Sequence, residues 1–89
     1  VQFSFYIYLK KMKILLFGIA KDIVGNQFLE DASFKAKTVA ELKQELIQKY
    51  PEFAKLSSLA VAVDEEYAGD EQQISADNEI AIIPPVSGG

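Results

Sequence analysis

One stretch of this chain reads as a full-length amphipathic helix, and it sets the terms for everything else. Val39, Leu42, Leu46, Ile47 and Tyr50 recur at the 3.6-residue period and form a single apolar stripe, while Lys43, Gln44, Gln48 and Lys49 take the opposite side. Thr38-Val39-Ala40-Glu41 has the spacing of a capping box, with Thr at the cap and Glu three residues on. Pro51 ends the helix, because the residue before a proline is pushed out of the α region. The apolar stripe must be buried against something, and the rest of the chain offers short apolar runs separated by turn residues. A single main helix laid on one face of a mixed sheet is an α+β architecture.

The runs can be taken in order. Met12 opens a strand, Lys13-Ile14-Leu15-Leu16-Phe17, that stops at Gly18. Ile19–Val24 reads as a short helical turn closed by Gly25-Asn26, a pair suited to positive φ. A second strand is expected over Phe28–Phe34, with Phe28, Ala32 and Phe34 on one face, although Glu30 shares their parity. A short second helix over Glu52–Ser57 comes after Pro51. Leu59–Val63 is the third strand, with Leu59, Val61 and Val63 on one face and Ala60 and Ala62 on the other. Asp64-Glu65-Glu66 makes a turn, Tyr67-Ala68 begins a short fourth strand or edge segment, and Ile74 reaches inward from an irregular stretch over Glu71–Ser75. Ala76–Glu79 is a tight turn into the last strand, Ile80–Ile83. The first and last strands are the expected central neighbours of a sheet of four to five strands. Residues 1–11 differ in character from the rest of the chain and read as an N-terminal extension, leaving 12–83 as the domain and 84–89 as a tail. The apolar run Phe3–Leu9 is too short to span a membrane, and its lysines come after it rather than before.

The tail is the least ordinary part of the chain. Pro84 and Pro85 remove backbone donors and fix φ, so the last strand must stop and the chain leaves the sheet stiff and extended. Val86 and Ser87 continue it. Gly88 and Gly89 have no Cβ and can enter a channel too narrow for other residues. Six extended residues reach roughly 20 Å at ~3.3–3.6 Å each, enough to carry a terminal carboxylate deep into another protein.

Strand parity adds a second feature. One helix covers one side of the sheet, so Leu15, Phe17, Ile83 and Tyr67 are left on the other side, beside the tail's exit. Apolar residues clustered next to a functional tail mark a partner interface.

Composition narrows the chemistry. With no Cys and no His the chain has no disulfide, no thiol catalysis, no Cys/His metal site and no Ser-His triad. Lack of cysteine fits a reducing compartment, and a cytoplasmic location is expected. A net charge of −4, with no basic stripe, argues against nucleic acid and for steering toward basic protein surfaces. Asp64, Glu65, Glu66, Asp70 and Glu71 are expected to form a solvated face rather than an acid/base site. No metal is expected.

From Met12 to Gly89 the chain resembles the small subunits of molybdopterin synthase, a family of ubiquitin-like β-grasp sulfur carriers. The residues that carry the resemblance are Lys13-Ile14-Leu15-Leu16-Phe17, Ala20-Lys21-Asp22-Ile23-Val24-Gly25, Thr38-Val39-Ala40-Glu41-Leu42 and Val61-Ala62-Val63-Asp64. Ala76-Asp77-Asn78-Glu79-Ile80 stands where the family has Gly-Asp-Glu-Val, with Asn78 in place of glycine, and Asp64 stands where Asn is more usual. Pro84-Pro85-Val86-Ser87-Gly88-Gly89 is the most specific match. The resemblance implies that an adenylating enzyme, with ATP and magnesium, converts the Gly89 carboxylate to an acyl-adenylate. A sulfur donor enzyme then supplies the sulfur of a Gly89 thiocarboxylate. The tail, Pro84 to Gly89, inserts into the large synthase subunit and gives that sulfur to cyclic pyranopterin monophosphate. It implies no stably bound cofactor, no catalysis by this chain alone, no membrane, and a heterotetramer of two small and two large subunits. The same residues leave open a carrier for thiamine or tRNA thiolation, a small protein modifier, and a plain interaction module whose tail is inert.

Overall fold

The computed structural model describes residues 11–31, 33–56 and 58–85. Among them the order of elements is β1 (Met12–Leu16), α1 (Gly18–Val24), β2 (Phe28–Asp31), α2 (Val39–Lys49), a 3-10 turn (Pro51–Lys55), β3 (Ala60–Val63), β4 (Glu66–Ala68) and β5 (Ile80–Ile83). The strands form one mixed sheet in the order β2-β1-β5-β3-β4. This is the α+β arrangement expected, with the first and last strands side by side at its centre.

The core follows from the register. β5 runs parallel to β1, with Ile14 opposite Ile80 and Leu16 opposite Ile82. It runs antiparallel to β3, with Val63 opposite Ile80 and Val61 opposite Ile82. Two apolar rows, Ile14-Ile80-Val63 and Leu16-Ile82-Val61, therefore face the same side. The stripe of α2 closes over them through Val39, Leu42 and Leu46, all fully buried. Phe34, Phe53 and Ile74 fill the margins. Each aliphatic side chain buried in this way contributes ~1.5–3 kcal/mol relative to exposure.

The N-terminus of α2 is satisfied in more ways than a capping box provides. Thr38 Oγ1 accepts from the Glu41 N–H at 3.2 Å, as expected. The reciprocal bond differs: the Glu41 carboxylate accepts from the Lys37 N–H at 2.8 Å. The connection between β4 and β5 supplies the remaining acceptors, with Val39 N–H donating to Gln72 O and Ala40 N–H to Asp70 O, each at 3.0 Å. A helix start leaves its first N–H groups without intrahelical partners, and here a distant loop takes two of them. Ile74 is pinned inward by the same contact, its N–H donating to Lys37 O at 2.9 Å. Further along α2, the Glu45 carboxylate accepts from the N–H groups of Lys35 and Ala36, each at 2.9 Å, and fastens the incoming loop.

Four expectations are corrected. β2 ends at Asp31, and its inward residue is Leu29, opposite Ile14, so Phe28 lies on the other side of the sheet opposite Leu15. Phe34 does reach the core, but from beyond the strand, and Ala32 lies outside the described residues. The segment after α2 is a 3-10 turn beginning at Pro51, whose missing donor suits a first turn, and not a helix over Glu52–Ser57. α2 itself stops at Lys49, with Tyr50 as its cap. The hairpin turn is the two residues Asp64 and Glu65 alone, at φ 52° and 72°, so Glu66 already belongs to β4. Two positive φ values in a two-residue loop are those of a type I′ turn, whose twist matches the strands.

Candidate functional site

With the helices on one face, the register assigns the opposite face residue by residue. One row crosses the whole sheet: Phe28, Leu15, Ala81, Ala62 and Tyr67, from β2 to β4. The next row pairs Ile83 with Ala60. Phe17 lies beside them at the end of β1, its N–H donating to Ile82 O at 3.3 Å. Small alanines at the centre and large side chains around them make a trough. Leu15, Phe17, Tyr67 and Ile83 line this depression of about 350 Å³ together with Ala62 and Ala81, and Glu65 and Glu79 complete its edge. All four residues assigned to this face from parity are thus brought together. Phe17 is 41% exposed and Tyr67 76% exposed, so large apolar surface faces solvent.

Phe28 was not expected here. It is 46% exposed, and the Lys13 ammonium lies 5.4 Å from its ring centroid. The adjacent apolar pair Phe28-Leu29 left its parity ambiguous. The cross-strand pair Lys13 and Glu30 was the available signal, since opposite charges facing each other fix the register that turns Phe28 outward.

The tail leaves from the trough's far end. β5 ends at Ile83, and Pro84 packs beside the bend from β1 into α1. Gly18 takes φ 54° there, and a Cβ on it would stand 3.3 Å from Pro84 Cγ, so glycine leaves room for the proline ring. Pro84 and Pro85 are half-buried. Val86, Ser87, Gly88 and Gly89 lie outside the described residues.

The other end of the trough is held by Asp64. Its carboxylate accepts from the Glu79 N–H and from Asn78 Nδ2, each at 2.8 Å, while its own N–H donates to Glu79 O at 2.8 Å. Asn78 Oδ1 in turn accepts from the Ser75 N–H at 2.8 Å. The bond from the Glu79 amide, followed by that from Asn78, holds the Asp64 carboxyl below the usual carboxylate range. Asp31 is lowered likewise, first by its bonds from Ser33 and then by Lys49 at 3.4 Å. Asp64 therefore does structural work, and Asp70 pairs with Lys43 at 2.8 Å. Glu65, Glu66 and Glu71 are exposed. Among the described residues no group of acidic side chains is placed to hold a metal ion. No helix among them is long and apolar enough to cross a membrane.

Comparison with known proteins places this geometry. The structural class is the ubiquitin-like β-grasp fold. SAMP1 from Haloferax volcanii superposes with a TM-score of 0.71 at 23% identity, over 89% of this chain and 99% of that one. A complex of subunits 1 and 2 of the molybdopterin-converting factor from Helicobacter pylori contains a chain matching at a TM-score of 0.59 and 21% identity, over 89% of this chain and 99% of that chain. At these identities the likeness shows the fold alone. Sequence carries the rest: residues 14–89 match the ThiS family model, so the chain belongs to the ThiS family. It is 42% identical over 82 residues to the molybdopterin synthase sulfur carrier subunit of Caenorhabditis briggsae, covering 88% of this chain and 96% of that protein. The subunit of the same name from Arabidopsis thaliana is 35% identical over 80 residues, covering 89% and 83% respectively.

Proposed function

We propose that this chain is the sulfur carrier subunit of molybdopterin synthase and serves molybdenum cofactor biosynthesis through its terminal carboxylate. The observation that carries the reading is the run of similarity to the curated sulfur carriers, joined to a family match that extends through Gly89. The geometry supports it. β5, the central strand, delivers the Pro84-Pro85 segment at the margin of an exposed apolar trough, so one surface can dock while the tail enters a partner.

The chemistry runs in three steps. A carboxylate is a poor electrophile, so an adenylating partner joins the Gly89 carboxylate to the α-phosphate of ATP, with magnesium, and pyrophosphate leaves. A sulfur donor enzyme then provides the sulfur that displaces AMP, leaving a Gly89 thiocarboxylate. Finally the loaded tail, Pro84 to Gly89, enters the large synthase subunit, where its sulfur passes to cyclic pyranopterin monophosphate and water restores the Gly89 carboxylate, so that two loaded tails supply the two sulfurs of one dithiolene. Positive charge that stabilises the acyl-transfer transition states comes from the partners' pockets, because this chain is acidic overall and has neither His nor Cys. It acts as co-substrate and docking domain, and the trough of Leu15, Phe17, Tyr67 and Ile83 is its contact surface.

The test is the intact mass of the protein after incubation with the adenylating enzyme, ATP, magnesium and a sulfide source, beside a variant lacking Gly89. The reading expects wild type alone to gain the mass difference of one sulfur replacing one oxygen. An unchanged wild type, with the adenylating enzyme shown to be active, leaves an interaction module with an inert tail.

A further inference from the structure

Resting on that sulfur-carrier reading, we propose that the acidic end of the open sheet face fixes the direction in which this chain docks, by meeting a basic rim on the large synthase subunit. That rim lies on the partner at the end away from the pocket that takes Gly89.

The trough is apolar along its length except where Glu65 and Glu79 line it. Both sit at one end. Glu79 immediately precedes Ile80, the first residue of β5, and Glu65 lies in the turn after Val63, which pairs with Ile80. β5 then runs from Ile80 to Ile83, roughly 10 Å at ~3.3 Å per residue, before Pro84 starts the tail. Charge therefore occupies one end of the face and the tail the other. Glu30 carries the same sign on the neighbouring β2, whereas Glu66, opposite Val63, lies on the helix side of the sheet. Lys13, opposite Glu30 on β1, lines the adjoining hollow with Asp77 and Glu79, and the exposed Lys11 precedes it by two residues. The Asp64 carboxylate ties this end together, since it binds the Glu79 amide and the Asn78 side chain while sitting next to Glu65 in the turn. The two rim carboxylates are thus carried on segments joined to each other and not on independent loops.

An apolar sheet face by itself selects poorly between two orientations related by a half-turn, because either buries a similar area. Only one of them puts the tail into the partner's pocket. Charge at the end remote from the tail discriminates: facing basic groups it speeds encounter, and in the reversed pose it is desolvated without a partner.

The experiment measures association of the full chain with the purified large subunit by stopped flow or surface plasmon resonance, across ionic strength. Wild type is compared with Glu65→Gln/Glu79→Gln, with Glu65→Lys/Glu79→Lys, and with Asp22→Asn/Glu52→Gln. The last removes the same charge from α1 and the 3-10 turn. At low salt the glutamine pair is expected to slow association about tenfold and the lysine pair further, with dissociation changing less. The curves should converge near 1 M salt, where the Debye length falls to about 3 Å. The Asp22/Glu52 variant should track wild type. Equal salt dependence of wild type and the rim variants refutes the rim, as does an equal loss in the Asp22/Glu52 variant. Failure of wild type itself to bind the large subunit overturns the docking reading as well. Formation of the Gly89 thiocarboxylate, read by mass on the same samples, keeps the carrier chemistry separate from both results.

Discussion

Leu15 and Leu16 are neighbours in one strand, chemically identical, and pointed to opposite faces of the sheet, so truncating each to alanine separates folding from docking. Leu16 is fully buried between the sheet and α2. Leu16→Ala removes its transfer free energy and leaves a cavity that the surrounding strands close only in part, which costs about 3 kcal/mol. Leu15 is half-buried on the open face and leaves no enclosed cavity, so Leu15→Ala costs about 1 kcal/mol. A domain of this size has roughly 4–13 kcal/mol of stability at ~0.05–0.15 kcal/mol per residue, so the first loss is a large share and the second a small one. In urea, with a slope of about 1.5 kcal/mol/M, the midpoint should fall about 2 M for Leu16→Ala and under about 1 M for Leu15→Ala, followed by far-UV circular dichroism. Binding to the large subunit should reverse the ranking. Leu15→Ala weakens it about tenfold, while Leu16→Ala, measured in buffer where it is folded, stays within about twofold. Equal midpoint shifts would refute the assignment of faces. A binding loss from Leu16→Ala as large as that from Leu15→Ala would refute the docking surface.

Thr38→Ala removes the side-chain cap of α2 and should cost about 1 kcal/mol, seen as a fall of roughly 4–8 °C in the thermal midpoint. Glu45→Ala takes away the acceptor shared by two loop amides, so hydrogen exchange at Lys35 and Ala36 should accelerate while the amides of Leu46 and Ile82 keep their protection. For Asp64 the folded pKa lies below the unfolded one, so its bonds add stability above the ordinary carboxylate range and lose it as pH falls through the depressed folded value. Thermal midpoints measured from about pH 5 to about pH 2 should therefore fall less steeply in Asp64→Asn than in wild type.

How far the sequence spoke depended on whether a feature was local. The periodicity of α2, its cap at Thr38, the stop at Pro51 and the αL residue Gly25 were legible because each is decided within a few residues. The opposed faces of β1 and β5 were legible because their alternation is clean. β2 was not, since Phe28 and Leu29 are both apolar and the choice between them was made across the sheet by pairing with Ile14 and Lys13. The same is true at the helix start, where Gln72 and Asp70 supply carbonyls from more than twenty residues away and free the Glu41 side chain for Lys37. Asp64 looked like one more surface acid. Its role depends on the turn conformation at φ 52° and on Glu79 and Asn78 arriving from the far side of β4, which a linear pattern does not reveal. At the site, the four large residues of the trough were readable from parity, whereas its alanine floor and acidic edge emerged only with the strand order.

The most direct test of sulfur donation tracks the loaded tail itself. The thiocarboxylated chain would be mixed with the large subunit and cyclic pyranopterin monophosphate, and its intact mass followed in time beside reactions lacking one or the other. The account predicts that the mass returns to that of the carboxylate only when both are present, in step with appearance of the dithiolene product. A sulfur that stays on Gly89 in the complete mixture, or leaves equally fast without the pterin, would contradict it.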